Sequence, residues 1–182
     1  MCSDIADSFI DWNRPFHAED SIPETSDGTE IPCNFTLTKE ARSLRCEKIH
    51  RPFHDAISAG LDRAQARGRR PVLLNIHSFT PVMRQTGEIR SIELGCCFNR
   101  DDRLAKAMLT DVQTAYPEVV TALNVPYAVN DIGDYTIPMH GERRNIPHVL
   151  LEIRNDLISD EPGQAQWAEI VAHAAKAAVK NL

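Results

Sequence analysis

The sequence predicts an α/β fold, a central mixed sheet with helices on both faces. Three observations carry this. The runs Pro-Val-Leu-Leu-Asn-Ile at 71–76 and Pro-His-Val-Leu-Leu-Glu-Ile at 147–153 are short and almost continuously apolar, the pattern of strands buried on both sides. Around them lie stretches whose apolar residues recur near the helical period. The two patterns alternate along the chain, which makes the helices layers over the strands.

In chain order, residues 7–10 read as the end of a strand. Residues 13–34 hold three prolines, Gly28 and several Ser, Thr and Asp residues without periodicity, the composition of a long loop. Trp12, Phe16, Ile22, Ile31 and Phe35 give that loop apolar anchors and favour order. A helix follows, capped by Thr36 or Thr38, with Leu44, Ile49, Phe53, Ile57 and Leu61 on its apolar side. Pro52 should kink or divide it, and Gly68 ends it. The strand at 71–76 is expected to lie centrally in the sheet, and 91–98 reads as the next strand. Asp101 or Asp102 should cap a helix reaching about Ala115, stopped by Pro117. A weak strand is expected at 124–129 and a short helix from Asp134 toward Arg143. After the strand at 147–153, a final helix spans 164–180, with Trp167, Ile170, Val171, Ala174, Ala178 and Val179 on or near one face.

A chain of 182 residues is about one domain, expected to span residues 1–182. No apolar run approaches the roughly 20 residues of a membrane helix, and the first residues lack the basic and apolar regions of a secretory signal. A net charge of −6 without a Lys/Arg block gives nucleic-acid binding no electrostatic support. The five cysteines include no C-x-x-C pair, which argues against a disulfide framework and for a reducing cytoplasm. Neither a nucleic acid nor a membrane is therefore an expected partner.

Several residues carry possible chemistry. His77 directly follows a buried strand, where a neutral imidazole is either a zinc ligand or a core group bonded to a carbonyl. Glu152 interrupts an apolar strand. Burial of its carboxyl raises the pKa and suits a general base, whereas a structural pair with Arg154, two residues along the same face, is the plainer alternative. Arg14, in Asn-Arg-Pro, offers a planar fork that matches a carboxylate, or else is a solvated loop residue. His50 and His54 stand at i,i+4, on one helix face, but Arg51 departs from the H-E-x-x-H zinc signature. His140 lies beside Gly141, and no nucleophile elbow or phosphate loop is present.

The segments DWNRP, IHSFTP and LEIRNDL, in this order and separation, resemble the N-formylglutamate amidohydrolase family, whose wider relatives are zinc carboxypeptidase-like hydrolases. The resemblance extends through SIPETSDGTEIPCN, HRPFHDAI, ELGCCFNRDDRLA and the stretch from Asn124 to Ile158. It implies a phosphorylase/hydrolase-like fold and zinc-dependent hydrolysis of N-formyl-L-glutamate, or a similar N-acyl amino acid, to formate and L-glutamate. It assigns His77 to zinc, Glu152 to the general base and Asn13-Arg14 to the substrate carboxylate. Arg154, His54 and His140 are implied as further substrate-binding positions. In the family, elements ahead of the Asn-Arg-Pro motif supply the other zinc ligands, a His and an acidic residue. This chain starts almost at that motif, so an N-terminally truncated domain is expected. The competing expectation is a non-catalytic, carboxylate-binding or protein-interaction module, whose exposed sheet edge invites association of copies.

Overall fold

A computed structural model describes residues 9–180. Residues 7 and 8 of the expected first strand lie outside the described residues, and Phe9 and Ile10 are not in a strand. The chain gathers into two compact units, Met1–Pro71 with Asp131–Thr136, and Val72–Asn130 with Ile137–Leu182.

In the first unit, the loop expected at 13–34 is ordered and contains a small hairpin. Strands β1 (Thr25–Ser26) and β2 (Thr29–Glu30) pair antiparallel. Asp27 and Gly28 between them have φ of 46° and 74°, the double left-handed turn that matches strand twist and favours Asp-Gly. Asn34 is buried and donates to the Pro23 carbonyl at 2.6 Å. Arg45 in turn donates to Asn34 Oδ1 at 2.5 Å and to the Cys33 and Phe9 carbonyls at 2.6 and 2.7 Å. These bonds, with Ile10, Ile22 and Cys46 packed together, replace the ladder that a loop lacks.

Helix α1 (Lys39–Arg45) is capped by Thr38, whose Oγ1 accepts from Ala41 N at 3.2 Å. A π-helical turn, Cys46–His50, joins it to α2 (Arg51–Ala66). The expected division therefore falls just ahead of Pro52, whose ring nitrogen donates no helical bond. Gly68, at φ 68°, closes α2 as its N–H bonds the Gln65 carbonyl and that of Arg69 bonds Ala64.

The second unit holds a four-stranded mixed sheet. Strands β3 (Leu73–Phe79), β4 (Leu94–Cys97), β5 (Thr121–Leu123) and β6 (His148–Arg154) lie in the order β3-β6-β4-β5. β3 is parallel to β6 and β5 to β4, while β4 and β6 are antiparallel. The apolar run at 71–76 thus forms an edge strand of this sheet, not the central one expected. β6 is an inner strand, buried from His148 to Ile153. The strand expected at 124–129 lies earlier, at β5. Asn124 ends it at φ 55°, and Pro126 has no N–H for a ladder.

Two helices cover one sheet face. Leu104, Ala105, Met108 and Val112 of α3 (Arg103–Ala115) and Trp167, Ile170, Val171, Ala174 and Ala178 of α4 (Glu161–Val179) pack on Leu94, Cys96, Val149, Leu151 and Ile153. Within this unit, both long helices therefore share a face. The opposite face carries Leu150 and Cys97 under Val129 and Ile137, the latter in the π-helical segment Ile137–Glu142. Of the two expected aspartates, Asp102 makes no cap bond and pairs with Lys106 at 2.5 Å, whereas Asp101 Oδ1 accepts the first helical N–H, that of Arg103, at 3.2 Å and holds its guanidinium at 2.7 Å. α4 begins earlier than expected because Asp160 Oδ1 accepts from Gly163 N at 2.8 Å. Among the described residues, no helix is long and apolar enough to cross a membrane.

Candidate functional site

The second unit places His77 and Glu152 side by side. They are register partners on the parallel strands β3 and β6, in rows about 4.8 Å apart. Alternation along β6 sends Val149, Leu151 and Ile153 to the helices, so Glu152 and His77 point to the opposite face. Glu152 is 5% exposed and His77 half-buried. Across from Glu152 on its other side, β4 presents Gly95. A Cβ there would meet the Val125 carbonyl oxygen at 2.0 Å and Glu152 Cβ at 3.3 Å. The absent side chain at Gly95 is what lets the Val125 backbone close in beside Glu152.

Arg154 does not take the structural role of partner to Glu152. Its guanidinium bonds Asp156 at 2.8 Å and the Ser91 carbonyl at 3.4 Å, with Glu93 at 3.9 Å. The neighbouring cysteines of β4 are buried on both faces, and burial pushes the Cys96 thiol up to about 12, which removes it as a thiolate. His140 is buried within the π-helical segment, and burial together with the Arg144 charge holds it below the ordinary imidazole value.

A polar pocket of about 160 Å³ lies near the start of β6, lined by Arg100, Asp101, Glu142 and His148 among others. His148 is four residues from Glu152, about 13 Å along the strand. Its Nδ1 donates to the Ile146 carbonyl at 2.7 Å. Glu142 accepts from Arg100 N at 2.8 Å and Asn99 Nδ2 at 3.1 Å.

The first unit assembles a separate cluster around Asn13-Arg14. Asn13 Nδ2 donates to Asp134 Oδ1 at 2.8 Å, and its Oδ1 accepts from Thr136 N at 3.1 Å. Asp134, expected to cap a helix, serves instead as this acceptor. Arg14 Nη1 donates to the Gly133 carbonyl, and its Nε lies 3.3 Å from Asp20 and 3.6 Å from Asp11. The guanidinium is one-third exposed. The i,i+4 histidines point at the same segment. His50 Nε2 contacts the Arg14 carbonyl at 2.9 Å and His54 Nε2 the Trp12 carbonyl at 2.7 Å. Their rings lie 4.4 Å apart, each against Tyr135 at 5.0 and 4.4 Å. Burial holds His50 below the ordinary imidazole value. Tyr135 and Gly95 escaped the sequence reading. Both lie in segments that carry the family resemblance, but nothing there singles them out, and only tertiary contact reveals them.

Among the described residues, no group of three or more His, Cys, Asp or Glu is arranged to hold a metal ion. His77 offers one imidazole, and the Nε2 atoms of His50 and His54 are turned to carbonyls.

Comparison with known proteins agrees with the motif reading. The family model described as N-formylglutamate amidohydrolase matches residues 1–159. The crystal structure of a gene product from Agrobacterium tumefaciens superposes with a TM-score of 0.88 at 35% identity, covering 96% of this chain and 68% of that one. A search of curated proteins found no match.

Proposed function

Because the chain belongs to the N-formylglutamate amidohydrolase family, we propose that it hydrolyses the amide bond of N-formyl-L-glutamate or a similar N-acyl amino acid. From N-formyl-L-glutamate the products are formate and L-glutamate. The observation that carries this reading is the in-register pair of His77 and buried Glu152, next to the side-chain-free position Gly95. Glu152 accepts a proton from the attacking water as the water oxygen bonds to the formyl carbon. The carbon–nitrogen bond then breaks, and the proton passes to the leaving amine. Arg14 reads a substrate carboxylate through its fork, which lies among Asp11, Asp20 and the Gly133 carbonyl. Asn13 and His54 belong with Arg14 in the first unit, and Arg154 and His140 with Glu152 in the second; the family resemblance makes them further substrate-binding positions. The family resemblance makes the reaction zinc-assisted, with His77 as one ligand. A catalytic zinc takes about three protein donors, and the described residues do not assemble them.

The same shortfall of metal donors favours a second reading, a carboxylate-binding module without turnover. Formate release by the wild-type chain and by Glu152→Gln separates them. Hydrolysis that falls at least about 10²-fold in the variant, at unchanged melting temperature, supports the base. Near-normal turnover in the variant removes Glu152 from that role. Binding of N-formyl-L-glutamate without turnover by the wild type supports the module.

A further inference from the structure

The carbonyls held by His50 and His54 belong to Arg14 and Trp12, the residues on either side of Asn13. A carbonyl only accepts, so both Nε2 atoms must carry the hydrogen and donate. Holding these two oxygens fixes the peptide planes before and after Asn13-Arg14. It therefore fixes the directions in which the Asn13 and Arg14 side chains leave the backbone. The loop Asp131–Thr136 grips the same dipeptide by its side chains, with Asn13 on Asp134 and Thr136 and Arg14 on Gly133. Tyr135 of that loop packs on both imidazoles, so the backbone grip and the side-chain grip share one aromatic contact. The helical turn explains why two histidines serve. Spacing of four residues stacks the rings on one face, and their tips then reach carbonyls two residues apart.

We infer that His50 and His54 act as a paired positioning clamp. Their Nε2–H groups hold the Trp12–Arg14 backbone so that the Arg14 fork meets a carboxylate at a set angle. The carboxylate role of Arg14 rests on the function proposed above, but the clamp itself does not. A further consequence concerns donors. With Nε2 of both rings committed to carbonyls, each His retains only Nδ1 for any other partner.

Two measurements test the clamp. Nitrogen-15 NMR of the wild-type chain at neutral pH reads the tautomers directly. Hydrogen on Nε2 of both His50 and His54 is expected, and hydrogen on Nδ1 alone in either ring overturns the clamp whatever the protein binds. The second measurement compares affinity for N-formyl-L-glutamate and its two monocarboxamides across His50→Leu, His54→Leu, His50→Gln and His54→Gln. Leu fills the space without a donor, whereas Gln returns an N–H near the Nε2 position. Each Leu variant is expected to lose about tenfold in affinity for the dicarboxylate, with little change for the carboxamide that Arg14 cannot grip, and Gln to restore most of the loss. Leu variants that melt like wild type and keep full preference for the carboxylate overturn the positioning role. If the Leu variants do not fold, the Gln pair and the tautomers decide. A wild-type chain that binds none of the three compounds defeats the proposed function, while the tautomer result still decides the clamp.

Discussion

At the scale of single residues, geometry and chemical type divide the work. Glu152 and His77 acquire their relation from strand register alone, since they are 75 positions apart in sequence and adjacent in space. Arg14 differs, because its contacts are carboxylates and a carbonyl that a substrate carboxylate must displace or join. Lys in its place keeps the charge but loses the planar fork. Arg14→Lys is expected to raise KM for N-formyl-L-glutamate about tenfold or more while shifting the melting temperature little. KM for the monocarboxamides checks the assignment. An equal rise for the dicarboxylate and both carboxamides would show that Arg14 reads no carboxylate. Arg154 illustrates the opposite outcome. A partner two residues away on the same strand face is available to Glu152, yet Arg154 turns to Asp156, Glu93 and Ser91.

At the scale of elements, starts and stops follow local chemistry. Thr38 and Asp160 each accept from the backbone N–H three residues on, at 3.2 and 2.8 Å, and so satisfy a donor left over by the helix end. Asp160→Ala is expected to cost about 1 kcal/mol of stability by denaturant titration. A change within error of zero would show that the first turn of α4 needs no cap, because Trp167 and Ile170 hold it by packing alone. The hairpin at Asp27-Gly28 is likewise local, a dipeptide whose left-handed backbone both residues tolerate. The π-helical turn before Pro52 is local as well, and it carries His50 at its end.

At the scale of the whole molecule, two buried histidines set a pH dependence. Burial holds His50 below its ordinary value, and burial with the Arg144 charge does the same for His140. In the unfolded chain both titrate near about 6.5. As pH falls through that value, the unfolded state takes up protons that the folded state does not, so stability falls with acidification. The melting temperature is expected to be flat above about pH 7 and to decline between about pH 6.5 and 5, with a shallower decline in His140→Gln. A flat profile over that range would mean the two groups titrate alike in both states. Metal content belongs to the same scale. With one imidazole at His77 and no three-donor group among the described residues, the chain purified by itself is expected to hold well under one zinc per molecule by elemental analysis. One tightly held zinc per chain would require a ligand set that the described residues do not form.

Read by itself, the sequence determined the α/β class, the family and the local punctuation. Apolar runs, helical periodicity, Thr38 and the motifs around Asn13-Arg14, His77 and Glu152 are properties of neighbouring residues, and neighbours suffice to read them. The tertiary structure decided what depends on distant partners. An apolar run such as 71–76 signals burial but not which strands flank it, so its place at the edge of the four-stranded sheet was not legible. The weak strand shifted to Thr121–Leu123 because pairing with β4, not propensity, selects the residues. Both long helices of the second unit share a face because their apolar stripes meet the same alternate residues of β6. Asp134 became an acceptor for Asn13, 121 positions away, and the i,i+4 histidines found the carbonyls of Arg14 and Trp12. A side chain's type lists the bonds it is able to make, and only the folded chain supplies the partner that selects one.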